Sequence, residues 1–484
     1  VTRVLSVASE VYPLVKTGGL GDVVAALPPA LAREGVIVRT LVPGYPAVMD
    51  ALHDAETAHT FASLHGVPAR LVCCEAVGLN LLVLDAPKLF ARAGNPYAGP
   101  DGKPWPDNAI RFAALSTAAV AVAHGALASF VPDVVQAHDW QAGLTPALLH
   151  YTGAPRPATV MTVHNLAFQG QFPKELLGAL GLPARAYAVD GVEYYGTISF
   201  LKAGVALADR VTTVSPTYAA EIRTPEHGMG LDGVLRKRTN LLTGIRNGID
   251  PAVWNPATDA HLASRYTARR LAARTPNKAA LKARFGLDDD PGAFLLGVVS
   301  RLTEQKGIDL VAGAVPHIVG TGAQLVVLGT GDPALEDDII AAAGLHPGRV
   351  AAIISYDETL AHLVQGGIDA LLVPSRFEPC GLTQLIALRY GTLPVVARVG
   401  GLADTVIDAN EMALAAGTGT GIQFAPVTAS ALEIAIDRAA TLARDTKTWR
   451  RLQAHAMATD VGWERPAKQY AALFRDLVAQ HART

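Results

Sequence analysis

Two stretches of this chain place cations and glycines where a phosphate ester could be held. Near the start, the apolar run Val4-Leu5-Ser6-Val7-Ala8 leads to Lys16-Thr17-Gly18-Gly19-Leu20-Gly21-Asp22 and then to a helical segment from Val23 to Leu31. A strand, a glycine turn and a helix in that order let backbone N–H groups face an anion, and the helix dipole favours negative charge there. Lys16 would add a mobile positive charge. The spacing is neither G-x-G-x-x-G nor G-x-x-x-x-G-K-[ST], so neither a dinucleotide fingerprint nor a Walker loop is indicated. Taken alone, such a turn also serves as a plain tight connection. In the second half, Val298-Val299-Ser300-Arg301-Leu302-Thr303-Glu304-Gln305-Lys306-Gly307 puts two cations between a strand and a helix beginning near Ile308. Arg301 for forked hydrogen bonding and Lys306 as a point charge would make a diphosphate clamp, although most cations simply decorate a surface.

Carboxylates, histidines and aromatics add to these. In Val373-Pro374-Ser375-Arg376-Phe377-Glu378-Pro379-Cys380-Gly381-Leu382-Thr383-Gln384, a strand passes through a loop into Gly381-Leu382-Thr383, which opens a helix reaching about Arg389. Glu378 could accept hydrogen bonds from ligand hydroxyls, or complement the helix dipole as a first-turn acid. Cys380 lies beside it without a paired His that would make it a nucleophile. His138-Asp139-Trp140 and His164-Asn165 each follow a strand's carboxyl end, where α/β sites are built, and such residues also cap strands and helices. Tyr97 and Trp105 could present faces to a sugar ring or pack, while Asp107 and Asn108 are natural N-caps. No Cys-x-x-Cys, His-x-x-x-His or 2-His-1-carboxylate spacing appears, and Asp288-Asp289-Asp290 reads as a solvated turn, so no metal site is expected.

The elements that must position these residues alternate along the chain. Strands are expected at Val4 to Ala8, Val36 to Val42, Arg70 to Glu75, Leu79 to Leu84, Val134 to Ala137, Thr159 to Val163 and Arg210 to Val214, with helices such as Asn108 to Ser129 and Thr145 to Tyr151 between them. The pattern restarts after Asp288-Asp289-Asp290-Pro291-Gly292, with strands at Phe294 to Val299, Gln324 to Leu328, Val350 to Ile354, Ala370 to Val373 and Leu393 to Ala397. Apolar strands alternating with helices predict parallel sheets covered on both faces, hence two doubly wound α/β domains with ligands at the carboxyl ends of their strands. The length of 484 residues suits two or three domains. A net charge of −2 provides no field for nucleic acid or an anionic membrane. Phe112 to Val131 is apolar but carries Ser116, Thr117, His124 and Ser129, and reads as a buried helix rather than a membrane span. The start, Val1-Thr2-Arg3-Val4, lacks a signal-peptide pattern, and three cysteines cannot build a disulfide framework, so a cytoplasmic setting is expected.

Taken together and in order, Lys16 to Asp22, His138-Asp139-Trp140, His164-Asn165, Asn247-Gly248-Ile249-Asp250, Ser300-Arg301-Leu302 with Lys306-Gly307, and Arg376 to Gln384 resemble bacterial glycogen synthases and plant starch synthases. The resemblance runs from about Val4 to the helix near Tyr470. It implies a GT-B fold of two Rossmann-like domains facing a deep cleft, spanning 1–246 and 247–461, with a C-terminal helix (462–484) returning to the first. It also implies retaining transfer of glucose from ADP-glucose to the non-reducing end of an α-1,4-glucan, in glycogen biosynthesis. By motif match, Lys16 and its glycine turn (Gly18, Gly19, Asp22), Arg301, Lys306 and the helix start at Gly381, Leu382 and Thr383 would hold the diphosphate, with Cys380 adjoining. Glu378 and His164 would contact the donor glucose and Asn247 would line that pocket. Asp139, Tyr97 and Asn165 would sit nearby, and Tyr356 would stack on the base. Many glycosyltransferases of this fold carry a second Glu eight positions after the first, for the ribose. Here that position is Ile386, which leaves the ribose contacts unassigned.

Departure of a nucleoside diphosphate builds negative charge on phosphate, which clustered cations and helix N-termini stabilise. The expectation is therefore an enzyme with neither a metal nor a pyridoxal cofactor, whose partners are ADP-glucose and the glucan. The rivals are a pyridoxal-dependent glucan phosphorylase, a sugar-nucleotide epimerase and a non-catalytic sugar sensor.

Overall fold

Runs of Val, Leu and Ile with few charges become strands buried on both faces, and amphipathic segments between them become the covering helices. A computed structural model describes residues 1–153 and 155–482. The chain divides into two compact units, Val1–Asn247 with the segment from Trp463 onward, and Gly248–Gly462.

The first unit holds β1 (Thr2–Val7), β2 (Val36–Pro43), β3 (Glu56–Leu64), β4 (Val67–Ala76), β5 (Leu79–Asp85), β6 (Val134–His138), β7 (Ala158–Val163), β8 (Gln171–Pro173), β9 (Glu193–Tyr194), β10 (Thr197–Ser199), β11 (Arg210–Thr213) and β12 (Leu242–Gly244). Nine of them form one sheet in the order β12-β11-β7-β6-β1-β2-β5-β4-β3, and β8, β10 and β9 form a small antiparallel one. The large sheet departs from the all-parallel expectation, because β4 runs antiparallel to β5 and β3 antiparallel to β4. A short turn at Val77-Gly78, both at positive φ, lets consecutive strands pair directly where a parallel pair would need a long crossover. The edge strand β3 escaped the sequence reading because most of its residues are exposed and it lacks an apolar run. One face is covered by the helices Gly19–Arg33 and Glu464–His481. Val23, Leu27 and Leu31 recur every fourth residue and meet Tyr470, Phe474 and Leu477 over Val4, Val134 and Val160.

The second unit holds β13 (Leu295–Val299), β14 (Gln324–Gly329), β15 (Val350–Ile354), β16 (Ala370–Val373), β17 (Leu393–Ala397) and β18 (Ile422–Phe424), all parallel, in the order β15-β14-β13-β16-β17-β18. Among the parallel strands of each unit the order reverses once, between β1 and β6 in the first and between β13 and β16 in the second. Loops leaving those strands diverge, and such a divergence is where α/β folds build sites.

The helix expected over Asn108 to Ser129 ends at Ala123, since Gly125 takes φ +89° and turns the chain. No helix among the described residues is long and apolar enough to cross a membrane.

Candidate active site

In the first unit the organising group is one the sequence reading passed over. Glu10, three residues beyond β1, is buried. Its carboxylate accepts from Thr17 N at 2.7 Å, Thr17 Oγ1 at 2.5 Å, Gly18 N at 3.4 Å and Tyr97 Oη at 2.5 Å. Glu10 thus fixes the glycine turn and ties it to Tyr97, whose hydroxyl also meets Ser9 Oγ at 2.7 Å. The signal was available: a lone acid just past the carboxyl end of the first strand. Gly18 is extended at φ −161°, and a Cβ there would meet no protein atom within 4 Å, so nothing inside the protein demands glycine at this point. Gly19 begins the helix, with Asp22 in its first turn. Lys16 Nζ donates to Asp22 at 2.8 Å and lies 5.3 Å from the Tyr12 ring centre.

The two strand-end pairs after β6 and β7 come together, as their separate positions in sequence could not show. Asp139 Oδ1 accepts His164 N at 2.7 Å and Asn165 N at 3.4 Å, and Asp139 itself sits at φ +52°, in the left-handed region. Burial pushes its carboxyl up to about 7, against the pull of those two N–H groups, with the charge of Glu10 adding to the rise. His138 Nδ1 lies 2.9 Å from His164 Nε2, and His138 Nε2 lies 3.1 Å from Ser6 Oγ. Burial lowers His164 to about 3, and burial together with His164 holds His138 well below the usual range. Two neutral imidazoles follow, with one proton in the contact between them. Asn165 spends its Oδ1 on Ala167 N at 3.0 Å. Asn247 is buried, and its Oδ1 has no hydrogen-bond partner among the described residues.

Several expectations for the neighbouring block change. Asp107 occupies the N-cap position without a capping bond, because Arg92 takes both its oxygens, at 2.7 and 2.5 Å. Asn108 instead donates to Tyr97 O at 2.9 Å and accepts from Arg111 at 2.7 Å. Trp105 lies under the Arg92 guanidinium, 4.9 Å from its ring centre, and Tyr97 packs beside Phe112 and Trp140.

In the second unit, the loops after β13 and β16 are fastened together. Gly307 takes φ +69°, and a Cβ there would stand 2.2 Å from Pro374 O, so only glycine allows the approach. Arg376 forks onto Asp309 at 2.7 and 2.6 Å and also donates to Glu304 O at 2.6 Å, while its own N–H reaches Gln305 O at 2.8 Å. This closure brings Lys306 Nζ to 2.5 Å from Glu378 Oε2, which also accepts from Ser375 Oγ at 2.9 Å. Glu378 lies five residues before the helix Thr383–Tyr390 and is held by Lys306, so the dipole-complementing role does not apply. Gly381, at φ +72°, packs on Gln384, whose Nε2 donates to Cys380 O and Gly381 O at 2.9 Å each, fixing the turn into the helix at Leu382 and Thr383. Cys380 is buried, and Arg301 is exposed with its carbonyl accepting from Ser300 Oγ at 3.0 Å. Tyr356 is 71% exposed, and its hydroxyl meets Glu358 Oε2 at 3.0 Å. Ile386 lies in the apolar core with Leu385 and Leu388. Among the described residues no group of three or more His, Cys, Asp and Glu could hold a metal ion.

An ammonium, a guanidinium, a carboxylate and a helix start at one strand reversal suit a ligand that is anionic at one end and hydroxylated at the other. Residues 3–237 match the starch synthase catalytic domain family and residues 280–453 the group 1 glycosyl transferases. The chain is 60% identical over 477 residues to a glycogen synthase of Rhodopseudomonas palustris, covering 99% of each, and equally to one of Methylocella silvestris. Among solved structures it is similar to the catalytic domain of Arabidopsis thaliana starch synthase IV bound to ADP and acarbose (TM-score 0.89, 31% identity, 99% of each chain). A sucrose-phosphate synthase from Thermosynechococcus elongatus, at 19% identity and TM-score 0.61 over 99% of this chain and 100% of its own, shares the GT-B fold.

Proposed function

This chain belongs to the family of bacterial glycogen synthases and plant starch synthases and is a glucosyltransferase that elongates a glucan, and we propose the following division of labour among its residues. The donor is ADP-glucose, and glucose passes with retention to the non-reducing 4-hydroxyl of an α-1,4-glucan. The observation that carries the reading is the Lys306–Glu378 pair at the strand reversal of the second unit. An ammonium has three protons, so Lys306 can serve Glu378 and a phosphate oxygen together. As the bond between the anomeric carbon and the diphosphate breaks, Lys306, Arg301 and the helix start at Thr383 stabilise the charge that gathers on the leaving group, and within the first unit Lys16 and the helix start at Gly19 offer an anion the same kind of support. A Cβ at Gly18 would meet no protein atom, so that side of the turn leaves room for a phosphate to approach the helix start at Gly19.

In the second unit Glu378 accepts hydrogen bonds from sugar hydroxyls and Tyr356 offers its exposed ring to the adenine; in the first, His164 and Asn247 are the sugar-contacting groups. Asp139 acts by holding the His164–Asn165 backbone, with Tyr97 and Asn165 beside it. Cations and backbone N–H groups take the place that a divalent ion holds in other phosphate-transfer sites, and neither a metal nor a pyridoxal cofactor is required. The reaction is placed in the cytoplasm, which keeps cysteines such as the three here reduced. Purified protein given labelled ADP-glucose with glycogen is expected to lengthen the glucan, more slowly with UDP-glucose and equally well after EDTA treatment. Turnover of donor without acceptor would point to an epimerase. Activity lost to EDTA and restored by magnesium would overturn the electrostatic assignment.

A further inference from the structure

The hairpin joining β9 to β10 is built against its own preference. Tyr195 and Gly196 form its two central residues, at φ +45° and +84°, while Tyr194 pairs with Thr197. Positive φ at both positions is the type I′ turn, which favours Asn or Gly first and disfavours a bulky side chain. This chain puts a tyrosine there and leaves it 78% exposed. The surroundings hold the turn firmly. The buried Lys202 donates to Val189 O at 2.6 Å and to Glu193 O, Glu193 Oε1 accepts Gly196 N at 2.8 Å, and Thr197 Oγ1 donates to Tyr194 O at 2.6 Å. Tyr194 stands edge-on to Tyr195, with centroids 4.8 Å apart at 88°, and its hydroxyl is anchored on Met229 O at 2.7 Å. Gln169 Nε2 donates to the same carbonyl at 2.9 Å, so the hairpin shares an anchor with the loop that leaves His164 and Asn165.

A rigid aromatic face, held in place and left in solvent as Tyr195 is, costs little entropy to use. The axial C–H bonds on the apolar face of a glucose ring carry slight positive charge and settle on such a ring. From this geometry we infer that Tyr195 is a stacking platform for a glucose unit of the glucan chain, away from the reacting end. The inference rests on the glucan-extending function above.

Tyr195→Asn tests it, because asparagine is the residue this turn prefers. Parent, Tyr195→Asn and Tyr195→Phe are run in native gels with and without glycogen, and KM for glycogen and for ADP-glucose is measured for each. Tyr195→Asn is expected to keep or raise the thermal midpoint while losing about 3- to 10-fold in glycogen affinity, with a matching rise in glycogen KM and less than about twofold change in donor KM. Tyr195→Phe should stay within about twofold of the parent, since it keeps the ring face. A Tyr195→Asn variant retarded as strongly as the parent overturns the platform, as does a parent that extends glycogen but is not retarded by it. A parent that is retarded through Tyr195 yet never turns over donor would uphold the platform and sink the proposed function instead.

Discussion

Lys306 and Glu378 show how a single contact serves both the fold and the chemistry. Their side chains are 18% and 6% exposed, so neither charge is well solvated, and each depends on the other. Lys306→Ala is expected to lower turnover about 100- to 1,000-fold and to cost about 3–5 kcal/mol of stability, because a buried carboxylate loses its counter-charge. Adding Glu378→Gln should recover much of the stability and none of the turnover; urea titrations of the four-member cycle would read this, and additive losses would contradict the pairing. The group formed by Asp139, His138 and His164 makes a second residue-scale expectation. Asp139, raised to about 7 by burial, lends stability that is full below its ordinary value of 3.8 and lost as pH climbs through 7. His164, lowered to about 3 by burial, and His138, lowered in the same direction, lend stability present above 6.5 and lost as pH falls. Between about pH 4 and 6.5, unfolding therefore binds a proton on His164, with His138 acting in the same direction, and releases one from Asp139. Asp139→Asn removes that release, so its unfolding free energy should rise with pH more steeply than the parent's, by about 1.4 kcal/mol per pH unit. Equal slopes in denaturant titrations at pH 5 and 6 would show that Asp139 is ionised in the folded protein.

At the scale of elements, the site depends on loops that leave diverging strands and are then tied down. The loops after β13 and β16 are joined by Gly307 packing on Pro374 and by the Arg376–Asp309 fork, and their closure presents Lys306 to Glu378. Gly307→Ala would combine an unfavourable φ with a 2.2 Å clash against backbone. It is expected to destabilise the protein by about 1–3 kcal/mol and to raise donor KM more than glycogen KM. A variant with parental thermal midpoint and parental donor KM would show that the two loops find their places without this fastening. In the first unit Glu10 plays the corresponding part, and its bonds to Thr17 and Tyr97 join the glycine turn to the loop before the helix Asn108–Ala123.

On the scale of the whole molecule, the first unit is discontinuous in sequence. Tyr470, Phe474 and Leu477 complete a core begun by Val4, Val23 and Leu27. Ending the chain after Gly462 would expose that apolar face, and the shortened protein is expected to aggregate or to bind a hydrophobic dye strongly; a soluble, active product would refute the helix's structural role. The sequence alone carried the alternation of strands and helices, the strand ends at His138, His164, Arg301 and Glu378, the glycine turns and the family, because each depends on neighbours along the chain: local periodicity, turn chemistry and motif order. It did not carry the antiparallel edge β3, whose polar pattern resembles a loop, nor the role of Glu10, the union of Asp139 with the His164 backbone, or the diversion of Asp107 to Arg92. Those were decided by tertiary structure, since each joins groups distant in sequence, and which partner a buried charge or N–H takes is settled only when packing has excluded water and left it one choice.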